Sequence, residues 1–310
     1  MDQSSHIEAF FQQHQLLKCQ DINILGVKVR VVRDDLNHPV VQGNKFRKLK
    51  HNLLAAAKQG SQNLVTFGGA YSNHLIATAY VAHELGFSAL GFVRGDELEG
   101  NHAIWSETLF QCQQLGMRLE FVSRTDYRLK EQASSIKNII EQFNHPFIIP
   151  EGGSNQLAKA GVAELITELV HQGVQPSHLI CPVGTGGTMA GLIEGVAQHN
   201  MDCQVLGVAV LKGLHGVKDD IIQWLGNQKT RVNWKILHDY HCGGYAKSTP
   251  ELEGFCIGFT QQHGIPLDKI YNSKSFYALA QCIKSGEIST KDGPAIIHTG
   301  GLQGGVFETL

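Results

Sequence analysis

Leu179-Ile180-Cys181-Pro182-Val183-Gly184-Thr185-Gly186-Gly187-Thr188-Met189-Ala190-Gly191-Leu192-Ile193 runs from an apolar, β-rich segment through a glycine turn into a helical one. An unbroken apolar strand is one whose two faces are both covered, as in a parallel sheet flanked by helices. The same order of strand, turn and helix recurs on either side of this stretch. Strand candidates fall at residues 27–32, 63–67, 89–93, 118–122, 147–149, 178–183, 204–210 and 295–297. Helix candidates fall between them at about 45–59, 73–85, 101–115, 156–172 and 188–198. The first helix carries Phe46, Leu49, Leu53 and Ala57 on one stripe, which reads as core packing. This alternation makes βαβ units, and the fold class is α/β with open twisted sheets.

The 310 residues exceed what one core usually holds, about 250–300, so two domains are expected. The polar stretches 38–43 and 151–155 bracket four of the strands and are the natural boundaries. A content of 42% hydrophobic and 17% charged residues excludes a disordered or fibrous chain. A net charge of −2 gives no footprint for nucleic acid or an anionic membrane surface. No apolar run approaches the roughly 20 residues that cross a bilayer. Met1 to His6 lacks the basic start and apolar core of a signal peptide. The 7 cysteines are scattered without a CxxC pair, as suits free thiols in a reducing cytoplasm.

In open α/β sheets, ligands bind beyond the carboxyl ends of strands. Gly184 to Thr188 sits at such an end. Successive backbone N–H groups of a glycine turn, together with a helix N-terminus, hold a phosphate. The dinucleotide fingerprint fails here, because Met189 stands where its third glycine belongs and residues 204–211 run into Lys212 without a ribose-binding acid. The Walker Gly-Lys-Ser/Thr is also missing. A small phosphate monoester fits better, and an ordinary tight βα turn is the bland alternative. Gly68-Gly69-Ala70-Tyr71-Ser72-Asn73-His74 repeats the grammar with polar residues; Ser72 or Asn73 could simply cap the following helix. Asp292-Gly293-Pro294-Ala295-Ile296-Ile297-His298-Thr299-Gly300-Gly301 is a further strand ending in a glycine-rich turn.

Gly43-Asn44-Lys45-Phe46-Arg47-Lys48-Leu49-Lys50 opens a helix with clustered cations, where the helix dipole disfavours them. A solvated basic face is one reading. The other is that crowding by neighbouring cations acidifies Lys45, so that the amine becomes a nucleophile able to condense with an aldehyde. A phosphate cradle combined with a nucleophilic lysine points to pyridoxal 5′-phosphate as cofactor.

At these residues the chain resembles the fold-type-II pyridoxal-phosphate enzymes of the 1-aminocyclopropane-1-carboxylate deaminase and D-cysteine desulfhydrase family. The matching pieces occur in family order: Arg33-Asp34-Asp35-Leu36, Gly43 to Leu49, Gly68 to His74, Gly184 to Thr188 and His298 to Gly301. The resemblance implies a fold like that of the tryptophan synthase β chain, with a small α/β domain, 48–154, inserted into a larger cofactor-binding one, 1–47 plus 155–310. It implies that Lys45 carries the cofactor and Asn73 bonds the ring hydroxyl. It implies that Ser72 serves proton transfer or the substrate carboxylate, and that Gly184, Thr185, Gly186, Gly187 and Thr188 hold the phosphate. Tyr245 and Tyr271 match two active-site tyrosines. Asn272 and Thr299 match positions beside the cofactor ring, where the deaminase branch carries glutamate and leucine. A neutral amide supports the electron sink far less than a carboxylate. Both positions therefore favour β-elimination of the desulfhydrase kind over cyclopropane opening. The implied activity is that of a lyase or deaminase acting on a small amino acid, giving a 2-oxo acid and ammonia, and the usual assembly is a homodimer.

Two other function classes compete. A pyridoxal-phosphate-binding protein without turnover would not need Lys45, Ser72, Tyr245 and Tyr271 together. A nicotinamide oxidoreductase lacks its fingerprint here. Among the 16 histidines, His238-x-x-His241-Cys242 is the nearest approach to a metal cluster; on a strand its histidines would face opposite sides, so no metal site is expected. His298 reads equally as a cleft residue or a packed residue at a strand end.

Overall fold

A computed structural model describes residues 2–13, 17–226 and 231–307. The chain is mixed α/β and divides into two compact units, Met1–Gln15 with Lys45–Ala158, and Leu16–Asn44 with Lys159–Leu310.

The first unit holds strands β3 (Asn63–Gly68), β4 (Ser88–Arg94), β5 (Arg118–Val122) and β6 (Pro146–Ile149). They form a parallel sheet in the order β5-β4-β3-β6. Its helices are α1 (Gln3–Gln12), α2 (Asn44–Lys58), α3 (Asn73–Leu85), α4 (Glu107–Gln114), α5 (Arg124–Leu129) and α6 (Ser134–Ile140). Phe67 and Phe92 stack from adjacent strands over Ile136, and the apolar character of β3 and β4 follows from cover on both faces. Phe46, Leu49 and Leu53 are buried as the stripe requires, while Ala56 rather than Ala57 completes it.

The second unit is a six-stranded sheet built from β1 (Cys19–Ile24), β2 (Val27–Val32), β7 (His178–Val183), β8 (Gln204–Ala209), β9 (Trp234–Leu237) and β10 (Ala295–Ile297). The order is β1-β2-β10-β7-β8-β9, parallel except for the β1–β2 hairpin. Helices α7 (Gln156–His171), α8 (Gly187–Gln198), α9 (Val217–Leu225), α10 (Pro250–His263) and α11 (Asn272–Lys284) accompany it; the unit boundary crosses α7 in its first turn. Side chains alternate between two cores along each strand. Leu179 and Cys181 enter the core with Ile193 and Ile297, whereas Ile180 enters the one with Phe259 and Phe276. Helices α7 and α8 approach closely at two glycines of α8. A Cβ on Gly191 would lie 2.6 Å from Val162 Cβ and 2.8 Å from the Lys159 carbonyl.

Three expectations change. Residues 101–115 are not one helix: a 3-10 turn at His102–Ile104 comes first, and α4 starts only where Ser106 Oγ accepts the Leu109 N–H as a cap. Strands β1 and β9 escape the sequence pattern because they lie at the sheet edges, and β1 alternates polar with apolar residues. His238 and His241 sit in the turn after β9 rather than on a strand, so facing arguments do not apply to them. No described helix is long and apolar enough to cross a membrane.

Replacing Gly191 by Val should lower stability by about 1–3 kcal/mol in urea denaturation, because the α7 backbone blocks the added methyls.

Candidate active site

In the second unit, β7 ends at Val183 and the chain turns through Gly184 to Thr188 into α8. Gly186 has φ +81°, and a Cβ there would lie 2.8 Å from Ile221 Cγ1, so the turn can form only with glycine. No side chain caps α8 and no acid stands in its first turn. The first N–H groups of α8 have no intrahelical acceptor, as at any helix start, and the helix dipole favours an anion there. The residues present fit the phosphate of the cofactor. Tyr271 borders the turn, since a Cβ on Gly184 would meet its Cε1 at 3.4 Å.

A second turn, His298 to Gly301, follows β10, which neighbours β7 in the sheet. His298 is buried. Its Nε2 meets the Pro266 carbonyl at 2.7 Å, its Nδ1 accepts from Gly300 N, and its ring packs on Phe276. It is thus a packed histidine at a strand end. The chain at Gly43 passes directly beneath this turn: a Cβ on Gly43 would sit 2.0 Å from the Thr299 carbonyl oxygen. Asn44 then links both turns. Its backbone N–H donates to Thr299 O at 3.3 Å and its side-chain Nδ2 donates to Thr188 Oγ1 at 2.9 Å.

Asn272, at the start of α11, is fully buried and fully bonded. Its Nδ2 donates to Asp268 Oδ1 at 2.6 Å and to Gly300 O at 2.7 Å. Its Oδ1 accepts from Thr299 N at 2.9 Å and Thr299 Oγ1 at 3.3 Å. An amide offers two donors and two lone pairs, and all are engaged. The buried Asp268 carboxylate also takes the N–H groups of Ile270, Tyr271 and Asn272. Tyr245 stands on a different turn and is 45% exposed.

In the first unit, Lys45 lies in the first turn of α2, half-buried. Burial pulls its amine down to about 8. The cause differs from the crowding read in the sequence, since desolvation alone accounts for the shift. Lys48, one turn on, is 2% exposed and donates to Gly152 O at 3.2 Å and Ser154 Oγ at 2.9 Å. Burial, and then the charge of Lys45, hold it well below the ordinary lysine range. His74 is also buried and held low by burial, with Lys45 and Lys48 adding to the effect. Thr66 Oγ1 donates to the Ile149 carbonyl at 2.8 Å and so accepts from His74 Nε2 at 2.7 Å. That assigns the His74 proton to Nε2 and leaves Nδ1 bare, buried and without a partner. Ser72 caps α3, its Oγ accepting from His74 N and Leu75 N, and Asn73 follows as the first helical residue.

Sequence reasoning missed Asn44, Asp268 and the buried lysines Lys48 and Lys274. The spacing Asp268-x-x-x-Asn272 was the one available signal. Among the described residues no group of three or more His, Cys, Asp or Glu is placed to hold a metal ion.

Comparison with known proteins bears on all of this. A family model described as "Pyridoxal-phosphate dependent enzyme" matches residues 7–300. A putative 1-aminocyclopropane-1-carboxylate deaminase of Pyrococcus abyssi is 32% identical over 90% of this chain and 86% of its own. A D-cysteine desulfhydrase of Klebsiella pneumoniae is 28% identical over 89% of this chain and 88% of its own. The crystal structure of an ACC deaminase homologue superposes with a TM-score of 0.81 at 26% identity, covering 98% of this chain and 96% of that one. These matches show that the chain belongs to the pyridoxal-phosphate dependent enzymes, in the fold-type-II group of deaminases and desulfhydrases.

Proposed function

We propose that this enzyme catalyses β-elimination from a small D-amino acid with a thiol or comparable leaving group, on the pattern of D-cysteine and water giving pyruvate, hydrogen sulfide and ammonia. Pyridoxal phosphate, when bound, supplies an aldehyde carbon for amines and a ring that withdraws electrons from the substrate's α-carbon. The backbone N–H groups of Gly184 to Gly187 and the hydroxyls of Thr185 and Thr188 would hold its phosphate. Lys45 would be the covalent anchor and, as a free amine, the base at the α-carbon. An amine lowered to about 8 is substantially neutral near physiological pH, which both roles require. Ser72, whose oxygen accepts two N–H groups, retains its own proton to donate to a carboxylate, and Asn73 offers an amide to the ring hydroxyl. Tyr245 and Tyr271 are the further proton-handling side chains near the leaving group.

The neutral, fully bonded Asn272 carries the choice of reaction. Its amide is committed to Asp268, Gly300 and Thr299, so it would act on a bound ring only through the Thr299 hydroxyl it accepts from. A hydroxyl partner leaves the ring nitrogen a weaker electron sink than a carboxylate does. That suffices where a good leaving group departs. Deamination of 1-aminocyclopropane-1-carboxylate is the second reading, favoured by the likeness to the putative deaminase of Pyrococcus abyssi.

Four outcomes are expected. In a parallel assay of D-cysteine, D-serine, β-chloro-D-alanine and 1-aminocyclopropane-1-carboxylate, the chloro and thiol substrates should release 2-oxo acid, and the cyclopropane should not. Fastest turnover of the cyclopropane would refute the β-elimination reading. Cofactor uptake by the apoprotein should accelerate as pH rises through about 8, where Lys45 loses its proton. Borohydride should fix the label on Lys45, and Lys45→Ala should lose both label and turnover. Asn272→Glu should cost about 3–5 kcal/mol at pH 8, because it sets a second carboxylate beside buried Asp268. The raised pKa of that pair means that the penalty shrinks as pH falls and a proton is taken up, and Asp268→Asn should relieve part of it in urea titrations.

A further inference from the structure

Lys274 lies in the first turn of α11 and is 0% exposed. Its amine donates to two backbone carbonyls, Val210 O at 3.0 Å and Gly244 O at 2.6 Å. Val210 follows the last residue of β8 and donates its own N–H to Val183, the last residue of β7. Gly244 belongs to the turn that carries Tyr245. The amine therefore ties this turn to the carboxyl edge of the sheet, within one unit.

The turn needs such a tie. Cys242 (φ 50°), Gly243 (96°), Gly244 (120°) and Ala246 (51°) all have positive φ. Two of these are not glycine, and L-residues hold that region only when surroundings impose it. Few bonds within the turn do so. Gly244 N donates to His241 O at 3.0 Å, Lys247 N donates to Gly244 O at 3.2 Å, and Gly243 N donates to His241 Nδ1 at 3.0 Å. The Gly244 carbonyl thus receives both Lys247 N and the Lys274 amine, which fixes its direction. Because Tyr245 is the next residue, that carbonyl's peptide plane sets where the tyrosine's backbone starts. Burying a lysine so completely is costly, and burial lowers its basicity against the opposing charges of Cys242 and Asp268.

We propose that Lys274 is a positioning residue: by clamping the Gly244 carbonyl to the end of β8, it holds the 242–246 turn in its strained shape and aims Tyr245 at the substrate. This rests on the reading of Tyr245 as an active-site tyrosine.

The test uses the holoenzyme, with β-chloro-D-alanine as the probe substrate and amide hydrogen exchange as a readout independent of turnover. In Lys274→Met the amides of Gly244 and Lys247 should exchange faster, while cofactor absorption stays unchanged. The kcat should fall by about a hundredfold with little change in KM, the scale expected for a misplaced catalytic group. Lys274→Arg, which keeps donors at the end of the side chain, should recover much of both. Lys274→Met combined with Tyr245→Phe should be no slower than the slower single variant, since Lys274 acts through Tyr245. Unchanged exchange in Lys274→Met overturns the clamp, and losses that multiply in the double variant overturn the link to Tyr245. Should Lys274→Met fail to fold, Lys274→Gln carries the same comparison. Full activity in Tyr245→Phe, or no turnover of the probe by the wild type, refutes the catalytic reading instead, and exchange still decides whether Lys274 holds the turn.

Discussion

Asn44 is pinned from two directions. Its backbone N–H is given to Thr299 O and its side chain to Thr188 Oγ1, and these acceptors follow two neighbouring strands, β10 and β7. Gly43 precedes it in a space where no side-chain atom fits. The next residue in the chain is Lys45. A lysine has four rotatable carbons, and a reactive amine on such a stem is only as well placed as its root. Here the root is set by backbone bonds and a steric limit, neither of which depends on the lysine's own side chain. The turn after β7 and the turn after β10 are thus joined through one residue of the second unit, Asn44.

The chemistry of the partners matters as much as their positions. Arg33 is held by the buried carboxylate of Asp35 in a two-pronged pair, the geometry in which guanidinium and carboxylate match. Lys48 and Lys274 are buried against carbonyl and hydroxyl oxygens instead. Neutral acceptors give an ammonium less support than a carboxylate, so desolvation dominates and the amines are pulled down. Lys45 follows the same rule through burial alone. The oxygens that Lys48 and Lys274 donate to are neutral, and the charge of Asp268 raises Lys274 by less than burial lowers it. His74 completes the pattern as a buried neutral imidazole with its bare Nδ1 turned inward.

Strands β7 and β10 were legible because they are covered on both faces and so read as apolar runs; β2 and the edge strand β5 also fall where the residues place them, although both carry charged residues. The edge strands β1 and β9 were not, because half-covered edges mix polar and apolar residues over short lengths. Helix α10 carries Gly254 and Gly258 within it and is held by packing that no local propensity announces. At the site, glycine turns and the lysine could be found from spacing, since their backbone demands are local. The bonding of Asn272 could not. Its four partners come from residues 268, 299 and 300, and only the folded chain shows that its amide has nothing left to offer. The acidity of Lys45 was anticipated with the wrong cause, because sequence displays charges but not the solvent they have lost.

The hairpin of β1 and β2 joins the large sheet through β10, with Arg30 opposite Ala295 and Val32 opposite Ile297. Partners so remote along the chain close last and slowly. During synthesis the whole of 45–158 emerges before the final strand exists, so the first unit can reach its own core while β2 still presents an open edge. The groove of backbone groups that will receive β10 is then exposed for most of translation. The turn at Thr299, which accepts the Asn44 N–H, is made only after β2 and β7. The bonds that hold Asn44 therefore wait on a residue about 250 positions further along, and a product cut before Thr299 would carry Asn44 without the backbone acceptor that fixes it.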